Sequence, residues 1–143
     1  MNKTYRGIWY RDHPQLKMNF EEAFKRDKGK LRIEHGQISF IGKKNKIEIS
    51  NLIALHLGLQ GTDPVNCFIK VTYKSGDSVK TCYFADGKLF GYWGAFGGTY
   101  RLFKAISIIM PRNATVTANY SFVYTQIILF LILLFMVFKI LYL

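Results

Sequence analysis

LRIEHGQISFIGKKNKIEIS, residues 31–50, alternates apolar and polar side chains in three short runs separated by turn-forming residues. Leu31 and Ile33 alternate with Arg32 and Glu34, Ile38 and Phe40 with Gln37 and Ser39, and Ile47 and Ile49 with Lys46, Glu48 and Ser50. A period of two sends successive side chains to opposite faces of a strand, so each run predicts a strand with one buried face. His35-Gly36 and Gly42-Lys43-Lys44-Asn45 supply the turns between them. This stretch sets the fold class as mainly β and antiparallel.

Downstream, Ile53, Leu55, Leu57 and Leu59 fall on one face, with Ala54, His56 and Gly58 on the other. After a loop at Gly61-Thr62-Asp63-Pro64, the runs Cys67–Tyr73 and Val79–Ala85 flank Lys74-Ser75-Gly76-Asp77-Ser78, a hairpin signal. Six strands of a meander result, and Tyr5–Tyr10 suits a seventh. The period changes after Gly97-Gly98. Leu102, Phe103, Ile106, Ile109 and Met110 lie along one helical stripe, with Arg101 and Lys104 off it, Thr99 as the expected N-cap and Pro111 as the stop. One C-terminal helix is expected to cap a small sheet closed on itself, a small barrel. Between Pro14 and Asp27 the signal is mixed, and Phe20, Ala23 and Phe24 suit one helical turn or two.

The last stretch obeys a different solvent. Ile127–Phe138 reads IILFLILLFMVF, and from Ser121 to Leu143 only Ser121, Thr125, Gln126 and Lys139 interrupt an otherwise apolar or aromatic run. It has no polar stripe to present to water, and at about 1.5 Å per residue it reaches across the roughly 30 Å core of a bilayer. Tyr120, Tyr124 and Tyr142 suit the two interfaces, and Lys139 lies near enough to the end to snorkel. The organisation expected is a β domain over 1–110, a polar linker over 111–120 and a transmembrane helix over 121–143. No apolar run precedes it as a signal peptide would, so the reading is a single-pass, tail-anchored protein. Of the 20 Lys and Arg, all but Lys139 precede residue 113. Lys104 and Arg112, close to the anchor, favour a cytoplasmic domain. Cys67 and Cys82 are expected on opposite faces of a hairpin, unable to bridge. The sequons at Asn113 and Asn119 are read as unmodified on that side of the membrane.

Two stretches invite a functional reading. Lys43, Lys44 and Lys46 crowd one hairpin, where they serve either as contacts to anionic lipid or as a solvated turn that guards a sheet edge. Phe90–Gly98 sets four aromatic residues among glycines. Its rings either fill the core, the favoured reading, or present Tyr92, Trp93 and Phe96 to a partner or to the membrane. His13, His35 and His56 are scattered, without a second ligand at metal spacing. No nucleophile elbow, paired acids or phosphate loop occurs, so no enzyme activity, metal or cofactor is expected. The net charge of +11 suits nucleic acid as well as an anionic leaflet. The cations are dispersed, however, without a recognition helix or an aromatic RNA-binding motif, so membrane lipid is the partner expected and nucleic acid is not.

The segments GKLRIEHGQISFIGKKNKIEIS (29–50), NCFIKVTYKSGDSVKTCYFAD (66–86) and GGTYRLFKAI (97–106) together resemble the pleckstrin-homology (PH) superfold, including its GRAM-like and bacterial PH-like branches. The resemblance covers most of residues 29–110 and rests on element types and turns. It implies a small barrel closed by a C-terminal helix. It also implies a non-catalytic module that recognises a lipid headgroup or a protein at a membrane surface, with Lys43, Lys44 and Lys46 as candidate headgroup ligands. The alternative expectation is a small accessory subunit of a membrane protein complex.

Overall fold

The computed structural model describes residues 2–14, 26–59, 67–87 and 97–142. Strands β1 (Lys3–Arg11), β2 (Asp27–Glu34), β3 (Gln37–Gly42), β4 (Lys46–Ile49), β5 (Leu52–Leu59), β6 (Cys67–Ser75) and β7 (Ser78–Asp86) precede helix α1 (Gly98–Ser107). A short strand β8 (Thr115–Ala118) and a long helix α2 (Ser121–Tyr142) follow. The eight strands form one sheet in the order β4-β3-β2-β1-β7-β6-β5-β8.

Local chemistry explains the turns. His35 and Gly36 both take positive φ, 48° and 79°, between the paired residues Glu34 and Gln37. That backbone matches the right-handed twist of a two-residue hairpin. Gly76-Asp77 closes β6 onto β7 in the same two-residue length. Asn51, at φ 52°, turns the chain from β4 into β5, and its carbonyl accepts a bond from Lys74 N–H at 3.0 Å. The chain is thus two meanders rather than one. β4 and β5 do not pair; β1 joins the halves, bonding β2 along most of its length and β7 only from Ile8 onward. The changeover falls at a bulge on Gly7 (φ 77°), whose carbonyl accepts from Gly87 N–H at 2.9 Å. Bulges bend a strand and increase its twist, as sharing between two half-sheets requires.

The sheet curls around its core. In a flat sheet β3 and β7, three strand spacings apart, would lie about 14 Å from each other. Yet the rings of Phe40 on β3 and Phe84 on β7 lie 5.9 Å apart, with Tyr10 of β1 at 5.0 and 5.7 Å from them. The expected closure into a barrel is not what the pairing gives. Among the described residues β4 and β8 are the two ends of an open sheet and do not bond each other. Leu102, Phe103 and Ile106 of α1 are buried in the core and Arg101 and Lys104 face out, as the stripe predicted. Ala105 is buried beside them, and the helix ends at Ser107, so Ile109 and Met110 pack half-buried beyond it rather than within it.

Four expectations are corrected. Thr99 is not the N-cap: Gly97 takes that position, while Thr99 Oγ1, fully buried, accepts a 3.0 Å bond from Asp86 N–H at the end of β7. Gly98 leaves room for the Asp86 carboxylate, which any Cβ there would strike. In β5 a bulge between Leu52 and Ala54 shifts the alternation, so Leu52 is buried and Ile53 is 40% exposed. Cys67 and Cys82 share the core face. The turn pairs Ser75 with Ser78, so odd residues of β6 face even residues of β7, and Cys82 lies opposite Val71. Cys67 is then four residues along, about 13 Å, and remains unbridged. Finally, the expected linker is structured. β8 adds to β5 in parallel, Asn119 N–H bonds Leu57 carbonyl at 2.8 Å, and Asn119 Oδ1 accepts from Ser121 N–H at 2.9 Å to start α2.

Helix α2 is long and apolar enough to cross a membrane. From Ile127 to Phe138 every side chain is exposed, a continuous apolar surface that water disfavours and hydrocarbon does not.

Candidate functional site

Lys43 and Lys44 occupy the β3–β4 turn and Lys46 opens β4; all three are exposed. The turn is built around Asp27, the first residue of β2, which is only 2% exposed. Its Oδ1 accepts Lys43 N–H at 2.9 Å, and its Oδ2 accepts Lys44 N–H at 3.0 Å, Asn45 N–H at 2.7 Å and the Asn45 side-chain amide at 3.1 Å. Burial disfavours the charged carboxylate, but these four donors outweigh it and hold the Asp27 pKa below its ordinary value. Gly42 makes the arrangement possible, because a Cβ there would strike the same carboxylate. Successive backbone N–H groups of this kind form a concave anion site. Here the protein's own carboxylate fills it, so an external anion meets only the lysine side chains.

Register assembles a wider basic surface. Arg6 pairs with Lys30, Lys30 with Ile41, and Ile41 with Lys46, so one outward row crosses β1, β2, β3 and β4. Lys28 lies two residues along β2 on the same face, and Ile41, 52% exposed, sits among the cations. Like charges directly across a strand pair, as at Arg6 and Lys30, cost stability unless an anion relieves them. Arg32 and Glu34, 3.5 Å apart, mark the edge of this region, and Glu48 adds a second acid. Sequence reading found Lys46 but missed Arg6, Lys28 and Lys30. Their strand parity was visible in the sequence, but the register that aligns them was not.

A second polar row crosses the other half of the sheet. Thr117 of β8 faces His56 of β5, which faces Lys70 of β6, then Tyr83 of β7 and Arg11 of β1. His56 Nδ1 lies 2.8 Å from Thr117 Oγ1. Its ring lies over Gly58, where a Cβ would come within 2.7 Å of Nε2. Burial, aided by the Lys70 charge, lowers the His56 pKa. Ala54, Leu55, His56, Lys70, Thr72 and Thr117 line a cleft of about 330 Å³. At the far end of the row, Arg11 is buried and bonds His13 at 2.7 Å, and His13 in turn holds Asp12 at 2.6 Å. His13 therefore does have a carboxylate partner, on the neighbouring residue.

Tyr92, Trp93 and Phe96, and with them the aromatic loop, lie outside the described residues, as do Phe20, Ala23 and Phe24. Among the described residues no cluster of His, Cys, Asp and Glu could hold a metal. Burial pushes the Cys67 thiol up to about 12 and the Cys82 thiol higher than its ordinary value, so both stay protonated at neutral pH. No family model matches the chain, and no curated protein or solved structure is significantly similar to it.

Proposed function

We propose that this chain is a non-catalytic, membrane-anchored recognition module of the PH-like kind, its basic domain held on the cytoplasmic face to read anionic lipid headgroups. The observation that carries this reading is the junction between sheet and anchor. β8 bonds into the sheet, and only Asn119 and Tyr120 separate it from a helix whose apolar side chains face outward. A domain tethered this closely meets headgroups at every moment, and each Lys or Arg near an anionic surface contributes about 1 kcal/mol. The PH-like assignment is supported by two meanders meeting through β1 and β7 and, later in the chain, a helix on the core. Lys104 and Arg112, close to α2, support the cytoplasmic side.

The test uses the full chain in nanodiscs of phosphatidylcholine with one fifth phosphatidylserine, with native mass spectrometry of the lipids released with it. Phosphatidylserine should be enriched over its share of the bilayer. Changing Lys43, Lys44 and Lys46 together to Glu should bring phosphatidylserine back to about its share of the bilayer. Equal enrichment in the triple variant would remove the hairpin from the reading, and extraction of the chain from vesicles by alkaline carbonate would remove the anchor.

One observation favours a second reading, an accessory subunit of a membrane complex. The outer edge of β8 is uncharged and unpaired among the described residues, with Val116 44% exposed, a geometry that accepts another strand. Crosslinking from position 116 to a single membrane protein, with no lipid selectivity, would favour it.

A further inference from the structure

We infer that the cleft between β5, β6 and β8 is a second, more selective site, which takes the phosphomonoester of an anionic lipid headgroup. The inference rests on the membrane-surface reading above but concerns residues at the opposite end of the sheet from the lysine hairpin, since β8 and β4 are its two ends.

Three features point to an anion. The cleft is lined by Lys70, His56 and two hydroxyls, Thr72 and Thr117, with no carboxylate among them. These groups come from three strands and converge through register, with His56 opposite both Lys70 and Thr117. His56 is held in place by its contact with Thr117 and by Gly58 beneath its ring. With the proton on Nδ1, the imidazole donates to Thr117 Oγ1 and leaves the threonine proton free to donate into the cleft. Lys70 supplies the charge and the two hydroxyls supply neutral donors. A phosphomonoester presents three terminal oxygens to such a set, whereas a phosphodiester presents two.

Position points to a lipid as the source. β8 runs toward the anchor, and Thr117 is three residues before Tyr120, about 10 Å along an extended chain. The headgroup layer extends roughly 5–7 Å beyond each side of the hydrocarbon core. The Lys70 side chain, snorkelling from β6, covers the remaining distance. The β3–β4 turn, whose backbone donors Asp27 already occupies, offers an anion only its lysine side chains.

The experiment is ring NMR on the histidine-labelled full chain in nanodiscs, with His13 and His35 as internal references. Four bilayer conditions are compared: phosphatidylcholine alone, phosphatidylcholine with phosphatidic acid, phosphatidylcholine with phosphatidylserine, and phosphatidylcholine with free inorganic phosphate. His56 resonances should move with phosphatidic acid while His13 and His35 stay in place. Lys70→Gln should weaken that response about fivefold, and Lys80→Gln, at an exposed lysine of β7 outside both sites, should leave it unchanged. An unmoved His56, or a response indifferent to Lys70→Gln, overturns the site. An equal response to phosphatidylserine overturns the monoester assignment, and a response to inorganic phosphate without one to phosphatidic acid overturns the lipid. A chain that never enters the discs sinks the anchored reading and this proposal together, an outcome distinct from a disc-borne chain whose His56 does not move.

Discussion

The β3–β4 turn and the cleft beside β8 are both basic, and they are built in opposite ways. In the turn the cations are neighbours in sequence and the backbone donors point inward, where Asp27 consumes them. Its lysines are charges on mobile stems, suited to attraction without geometry. In the cleft one cation and three polar side chains come from strands up to 61 residues apart, and a hydrogen bond fixes the imidazole. Charge density alone therefore identifies a surface that attracts anions. A site that selects among them needs donors left unspent by the fold.

The largest expected effect breaks the turn. Asp27→Ala leaves three backbone N–H groups and an amide without their carboxylate, at a cost of about 3 kcal/mol. Thermal unfolding of the domain followed by circular dichroism should fall by about 10 °C or more. A change of only a degree or two would mean that water replaces Asp27 easily and that the turn is no rigid clamp.

A smaller effect comes from acid. The folded pKa of Asp27 lies below its unfolded value of about 3.9, so its contribution is complete above that value and is lost as pH falls through the folded pKa. The melting difference between the parent chain and Asp27→Asn should be flat from pH 7 to pH 5 and shrink below about pH 4. A difference that shrinks near pH 6 instead would assign it to a histidine.

The smallest effect sharpens the cleft. Thr117→Val keeps shape but removes the hydroxyl, and because the bond is exposed it should cost less than about 1 kcal/mol. Its signature is local: the His56 ring signals should move while those of His35 do not.

Much of the fold was readable because strand periodicity is a local property. The runs at 31–50, the turn at His35-Gly36 and the stripe Leu102, Phe103 and Ile106 each declare their neighbours within a few residues. What failed was non-local. Ile53 looked like a core residue until a bulge moved the alternation to Leu52. The cysteines looked opposed until the Ser75–Ser78 register placed them on one face. Four residues of the supposed linker, TVTA, are too short and too polar to announce a strand, and only the waiting edge of β5 makes them one. The hairpin lysines were visible as a charge run, whereas Asp27, 16 residues before the first amide it binds, gave no signal.

By itself the sequence determined that the runs between Leu31 and Ala85 alternate as strands, that one amphipathic helix follows them, and that the final helix has no polar side. Each is a matter of which solvent a short segment prefers, and that preference is written in consecutive side chains. Only tertiary structure decided which cations stand together, which carboxylate fills the turn and how the sheet meets the helix. Those outcomes depend on register between distant strands, set by turns, bulges and packing summed over the whole sheet.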